Sequence, residues 1–342
     1  MGTAKWELAL VEAIGREASD VHFVPGQRIF LRLRGELTAL EMIADEEMTA
    51  DFINAALSAT ERAKLLAERE IDASYSFGGR RFRLNAYYAM GQLSIALRLI
   101  PAEIIPYEEI GLGMGGEKLL AAKSGLILVT GKTGAGKSTT LAAYIEAVNS
   151  RRARNIITLE DPVEYVHTPK KSLISQREYG RDFLAFPSAL KSALREMPDV
   201  VMVGEIRDGE TMATALAAAD TGVLVLGTLH TRSAAETAQR VESLFPKSDG
   251  AAVRSQFAAV MTGIISQQLL PGTKGERHAA TEILLANPAA RNILRQGKYE
   301  QLATVIMSNR QMGMQAMDNS LDKLFNSGRI SKECWEVTRG QG

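Results

Sequence analysis

Apolar and polar positions alternate differently along three stretches of the chain, and each stretch predicts its own kind of element. Up to about residue 100, apolar residues recur at helical spacing from Trp6 to Arg16 and from Asp45 to Glu70, with short runs of period two beside them. Arg81 to Tyr88 sets Arg81, Arg83 and Asn85 against Phe82, Leu84 and Ala86, and Leu93 to Ile100 sets Leu93, Ile95, Leu97 and Leu99 against Ser94, Ala96 and Arg98. Two such runs in succession predict a hairpin with one polar, arginine-bearing face. Pro101, Pro106, Gly111, Gly113, Gly115 and Gly116 follow closely. That density of breakers predicts a linker over 101–116, between a first α/β domain at 1–100 and a second domain at 117–342.

From Lys123 to about Thr231, continuous apolar runs alternate with helical stretches. Strands buried on both faces read this way, so a parallel sheet covered by helices is expected, the α/β pattern of a RecA-like NTPase core. The remainder, 233–342, reads as mainly helical, and Met261, Met307, Met312, Met314 and Met317 there are expected to be core filler.

Charge and cysteine content narrow the classes. The 342 residues carry 40 basic and 40 acidic side chains, so no global attraction to nucleic acid or acidic lipid is implied. Cys334 is the one cysteine, which excludes an internal disulfide and a CxxC-type zinc site and fits a reducing cytoplasm. His22, His167 and His278 have no metal-ligand spacing. Met1 to Gly15 lacks a signal pattern, and no apolar run reaches the roughly 18 residues of a membrane span.

The chemistry is concentrated at the ends of four apolar runs, where an open parallel sheet presents its ligands. Leu126–Val129 leads into Gly131, Lys132, Thr133, Gly134, Ala135, Gly136, Lys137 and Ser138, then into helical sequence from Thr139. Strand, glycine loop and helix in that order form a P-loop: backbone N–H groups curl around phosphate, Lys137 reaches the β- and γ-phosphates of ATP, and Ser138 holds Mg²⁺. The second run ends at Glu160, with Glu164 beyond it; the third, Val200–Val203, precedes Gly204 and Glu205; the fourth, Val223–Leu226, leads to Thr228 and His230. Phosphoryl transfer to water needs an acid near the metal and a group that orients the attacking water. Glu205 is expected in the Mg²⁺-and-water role, against the alternative of capping the next helix. Glu160 and Glu164 are water-positioning candidates, although strand-end acids also serve as caps and ion-pair partners. His230 is placed as a γ-phosphate sensor rather than a base. Arg83 and Arg98 are either a solvated polar face or arginines that neutralise phosphate charge.

These residues together resemble the secretion-type ATPases, and within them the type IV pilus retraction ATPases of the PilT kind. The resemblance is nearly full length and rests on ASDVH at Ala18, FRLNA at Phe82, GKTGAGKSTTLAA at the P-loop, ITLEDPVEYVH from Ile157 and the stretch from Gln176 to Asp208. TGVLVLGTLHT from Thr221 completes it. It implies a PAS-like N-terminal domain, a RecA-like ATPase domain, a cytoplasmic homohexamer at the cytoplasmic face of the inner membrane, and coupling to a membrane platform protein and other pilus ATPases. It also implies catalytic roles for Glu160 and Glu205, without deciding which is the formal base, and raises Arg83 and Arg98 to phosphate contacts. Assembly and secretion relatives carry an additional N-terminal domain and a four-cysteine zinc insertion, which favours retraction here. Pro288 to Lys298 resembles the retraction motif AIRNLIRE, with Ala290 in place of Ile and Gln296 in place of Glu; Val223 stands where the histidine box has another His. A short pilus-assembly, competence or type II/IV secretion ATPase, which also lacks the zinc insertion, is the alternative within the resemblance; a nucleic-acid motor is the rival from another class, and zero net charge argues against it.

Overall fold

The computed structural model describes residues 4–100 and 103–340, which separate into two compact units. The first comprises residues up to Glu103 together with Pro162–Val166; the second comprises Ile104–Asp161 and the chain from His167 onward. Pro101, where the linker was expected to begin, and Gly342 lie outside the described residues.

The first unit runs α1 (Lys5–Gly15), β1 (Asp20–Phe23), β2 (Arg28–Leu33), β3 (Glu36–Ile43), α2 (Glu46–Ala56), α3 (Ala59–Glu68), β4 (Glu70–Phe77), β5 (Arg80–Ala89) and β6 (Gln92–Leu99). The strands form one antiparallel sheet in the order β3-β2-β1-β6-β5-β4. Phe82, Leu84 and Ala86 of β5 and Ile95 and Leu97 of β6 are buried, as their alternation requires, and pack in one core with Trp6 and Leu10 of α1 and Phe52 of α2. Trp6 and Phe52 meet edge to face at 5.3 Å, a geometry favoured by the ring quadrupoles. The helix expected over Asp45–Glu70 is two helices. Ser58 caps α3 by accepting from the Glu61 amide at 3.3 Å while Glu61 accepts from the Ser58 amide at 2.7 Å, a reciprocal box that starts a new helix in mid-pattern.

The second unit opens with α4 (Gly113–Leu120), then β7 (Gly125–Thr130), α5 (Lys137–Arg151), β8 (Asn155–Glu160), β9 (Leu173–Glu178), α6 (Phe186–Ala193), β10 (Val200–Val203), α7 (Gly209–Asp220), β11 (Leu224–Leu229), α8 (Ala234–Ser243) and α9 (Gly250–Val260). It continues with β12 (Met261–Pro271), β13 (Arg277–Leu285), α10 (Pro288–Gln296), α11 (Leu302–Ser308), α12 (Met317–Asn326) and α13 (Lys332–Arg339). The seven-stranded sheet has the order β13-β12-β7-β11-β10-β8-β9, parallel throughout except for the antiparallel edge strand β13. Every residue of β7, β10 and β11 is buried.

The stretch 233–342 is mainly helical among the described residues, as expected, but β12 and β13 also lie within it and extend the ATPase sheet past the P-loop strand. Of its methionines, Met261 and Met314 are core residues whereas Met307 and Met312 are exposed. The glycines read as a linker are, at Gly113–Gly116, the first half of α4. Gly115 and Gly116 are buried, and a Cβ on Gly115 would stand 2.3 Å from the Gly313 carbonyl oxygen, so close packing rather than flexibility requires glycine there. Among the described residues, no helix is long and apolar enough to cross a membrane.

Candidate active site

The loop after β7 owes its shape to glycines and to a strand the periodicity did not reveal. Gly134 and Gly136 have φ of +79° and +84°, a region that side chains with a Cβ rarely adopt, and Gly136 caps α5 in that conformation. A Cβ on Gly131 would stand 2.4 Å from the Gln267 carbonyl oxygen of β12. Gln267, 2% exposed, reaches the loop with its side chain as well. Its Nε2 donates to the Ala135 carbonyl at 2.5 Å, and its Oε1 accepts from the Thr140 hydroxyl of α5 at 2.9 Å. One buried amide thus holds both the loop and the helix that follows it. The Lys137 ammonium donates to the carbonyls of Gly131 at 2.8 Å and Lys132 at 3.1 Å, which keeps it over the loop. Lys132, Thr133, Gly134 and Ser138 are exposed, and Thr139 is half-buried. The exposed residues 132–134 and Ser138 thus stand at the positive end of a 15-residue helix, a setting that attracts phosphate.

The neighbouring strand ends bring three predicted residues to this rim of the sheet. Glu160 closes β8 and is 9% exposed; its Oε1 accepts from the Thr158 hydroxyl at 2.6 Å and from Gln176 Nε2 of β9 at 3.1 Å. The β8 and β10 ends approach closely because Gly204 has no side chain: its N–H donates to the Leu159 carbonyl at 2.8 Å, and a Cβ there would be 3.1 Å from that oxygen. Glu205 follows at once. One carboxylate oxygen lies 3.2 Å from His230 Nε2, and the other accepts from Arg207 Nη2 at 2.9 Å. Partial burial pushes the Glu205 carboxyl up, but the Arg207 hydrogen bond and charge, aided by His230, outweigh it and hold the pKa below the ordinary glutamate value. Glu205 is therefore ionised at neutral pH. Arg207 Nη2 also stands 3.8 Å from Asp161. The fourth run folds as Leu224–Leu229, which makes His230 the first residue beyond the strand.

Glu164, Arg83 and Arg98 lie in the first unit. Glu164 is half-buried within Pro162–Val166, a segment held by Arg81, whose Nε donates to the Val163 carbonyl at 2.6 Å. Arg83 and Arg98 face each other in register on β5 and β6, a like-charge pairing eased by Asp72 at 3.5 Å from Arg83 and Asp20 at 3.0 Å from Arg98. Both guanidinium groups are exposed, 43% and 72%, so a solvent anion can reach them.

Sequence reasoning missed Gln267 and Arg207. The available signal for the first was Ser266-Gln267 inside the apolar run of β12, since adjacent strand residues point to opposite faces and a strand buried on both sides must pair both. For the second it was a cation two positions from a strand-end acid. The retraction-like segment folds as α10, with Asn287 capping it at 2.7 Å and Gly297 ending it at φ +70°. Arg291, in the middle of that segment, donates to the carbonyls of Ala258 and Ala259 at the end of α9, so its guanidinium is engaged inside the molecule. Asn292, Arg295 and Gln296 of α10 are exposed, as are Pro288 and Ala289 at its start.

Comparison with known proteins agrees with this arrangement. A family profile described as type II/IV secretion system protein matches residues 5–326. The chain is 41% identical over 324 residues, 92% of each sequence, to the type IV pilus retraction ATPase PilT of Pseudomonas aeruginosa. It is 42% identical over 308 residues, 89% of this chain and 82% of the other, to a twitching motility protein of Neisseria gonorrhoeae. A crystal structure of the pilus retraction motor PilT with bound ADP superposes with a TM-score of 0.90 at 40% identity, covering 98% of this chain and 96% of that one. With its P-loop, its strand-end acids and a likeness that runs the length of both chains, the protein belongs to the type II/IV secretion system protein family, as a PilT-like ATPase.

Proposed function

We propose that this chain is a subunit of an ATP-hydrolysing motor that powers type IV pilus retraction. The observation that carries the proposal is the 41% identity to a pilus retraction ATPase across 92% of both chains, together with an intact P-loop in this structure. In this reading residues 131–139 cradle the triphosphate through backbone amides and Lys137. The donor set suits Mg²⁺. The Ser138 hydroxyl would offer a hard oxygen ligand, and the Glu205 carboxylate a hard oxygen that would reach the ion through water. When bound, Mg²⁺ neutralises charge developing on the phosphates. Glu205 orients the attacking water and contacts the metal through water, Glu160 supports the water's position, and His230 reports the γ-phosphate. Roles for Glu164 as a further acid, and for Arg83 and Arg98 in neutralising phosphate charge, belong to the same proposal and rest on the likeness to the retraction ATPases. The working unit is a homohexamer on the cytoplasmic face of the inner membrane, where it turns a platform protein alongside other pilus ATPases.

The test is genetic. Deleting the gene in its host and supplying either the wild-type or a Glu205→Gln allele should leave over-piliated, non-twitching cells in the deletion and the Glu205→Gln strain only. A bald deletion strain would instead identify an assembly motor, and unchanged pili would remove the protein from pilus work.

A further inference from the structure

Hydroxyl groups stand in a row between the P-loop strand and the histidine turn, hydrogen-bonded in two pairs, Thr130 to Ser266 and Thr231 to Thr237, and Thr237 of α8 touches both pairs. Thr130, the residue before the P-loop, donates to Ser266 of β12 at 2.9 Å; Thr237 Oγ1 lies 3.4 Å from Thr130 Oγ1 and 2.7 Å from the hydroxyl of Thr231, the neighbour of His230. Thr130, Thr237 and Ser266 are each fully buried. A hydroxyl has one proton, and the 2.7 Å bond from Thr237 to the Ser233 carbonyl uses it, so Thr231 is the donor to Thr237. The backbone ladder between the two strands ends here, with Thr130 paired to Leu229 and the Gly131 amide 3.4 Å from the Leu229 carbonyl. Beyond that point Thr237, in contact with Thr130 and hydrogen-bonded to Thr231, stands between the P-loop strand and the turn 230–233. The start of α8 is fixed independently, because half-buried Glu282 of β13 accepts from the Ala234 amide at 2.7 Å.

We infer that Thr237 is a positioning residue: anchored on α8 beside the P-loop strand, it holds the Thr231 hydroxyl and so sets where the His230 imidazole stands relative to the nucleotide loop. The inference rests on the reading of His230 as the γ-phosphate sensor. Thr237 is fully buried, so it acts through Thr231 and not on the nucleotide itself. Valine in its place keeps the shape and removes the hydroxyl, while Thr231 turns to solvent and Thr130 keeps its bond to Ser266, so little buried polarity is left unpaired.

Steady-state ATP hydrolysis by the full-length protein tests this with Thr237→Val, Thr237→Ser, His230→Ala and the His230→Ala/Thr237→Val double variant. Thr237→Val should lower kcat about tenfold through misplacement of His230, with KM for ATP within about twofold, and Thr237→Ser should restore turnover. The double variant should be no slower than His230→Ala alone, since the hydroxyl acts through the imidazole. Normal turnover in Thr237→Val, failure of serine to rescue, or losses that multiply in the double variant would each overturn the inference while leaving the sensor reading intact. A fully active His230→Ala would remove the sensor reading and the inference with it. If Thr237→Val does not fold, Thr231→Ala cuts the same link from its half-exposed end and is judged by the same criteria.

Discussion

Replacing Gln267 by leucine would ask how much of the P-loop's affinity is stored outside the P-loop. The substitution keeps volume and burial and removes two hydrogen bonds, to the Ala135 carbonyl and from the Thr140 hydroxyl. Thr140 has a local substitute in the Gly136 carbonyl, one helical turn back, to which its own amide already donates at 3.0 Å. The Ala135 carbonyl is left without its side-chain donor, and a buried acceptor stripped of its partner costs about 1–3 kcal/mol. That cost falls on the loop conformation whose amides face phosphate, so apparent nucleotide affinity drops by the population lost, about 5- to 150-fold. Titration of the purified protein with a fluorescent ADP analogue reads the change directly, and circular dichroism checks that the sheet is intact. A dissociation constant within twofold of wild type, with an unchanged spectrum, would refute the reasoning and make Gln267 a packing residue only.

Two further outcomes follow from the second unit. Burial raises the Glu282 carboxyl above its ordinary value of 4.5, against the opposing Ala234 amide, so the folded chain retains a proton that the unfolded chain releases as pH rises above that value. Stability from this group is thus full below the unfolded pKa and declines as pH rises through the folded one; Glu282→Gln should gain in melting temperature over wild type from acid to neutral pH, and a constant difference across that range would contradict the assignment. Arg291→Ala should destabilise the unit by about 1–3 kcal/mol through loss of charged donors to the last carbonyls of α9, lowering the calorimetric midpoint by about 2–4 °C per kcal/mol; an unmoved midpoint would show the contact to be idle.

The parts legible in the sequence were those where one physical requirement dominates. β7, β8, β10 and β11 are buried on both sides, so they read as unbroken apolar runs, and the residues after them were found by counting from the run's end. The hairpin β5–β6 was legible for the opposite reason, since one face is core and the other carries Arg81, Arg83 and Arg98. β9 was invisible because it is an edge strand of mixed burial with the polar sequence Leu-Ile-Ser-Gln-Arg-Glu. β12 was missed because α9 passes into it without a break, Val260 ending the helix and Met261 starting the strand. Missing β12 concealed Gln267 as well. The role of Arg291 depended on where α9 ends, and no local pattern in Pro288–Lys298 records that.

The segment Pro162–Val166 belongs to the first unit although the chain on either side of it belongs to the second. Modularity in this protein is therefore not a matter of cutting the chain once. A fragment beginning at Ile104 would keep the P-loop, both strand-end acids and His230, yet carry Val163 and Tyr165, 5% and 9% exposed in the whole protein, without Arg81 to hold the Val163 carbonyl. The complementary fragment would lack five residues of its own fold. An ATPase module transplanted at its sequence boundary would thus arrive with a foreign loop directly after Glu160 and Asp161, and swaps between relatives should exchange 1–103 and 162–166 as one piece.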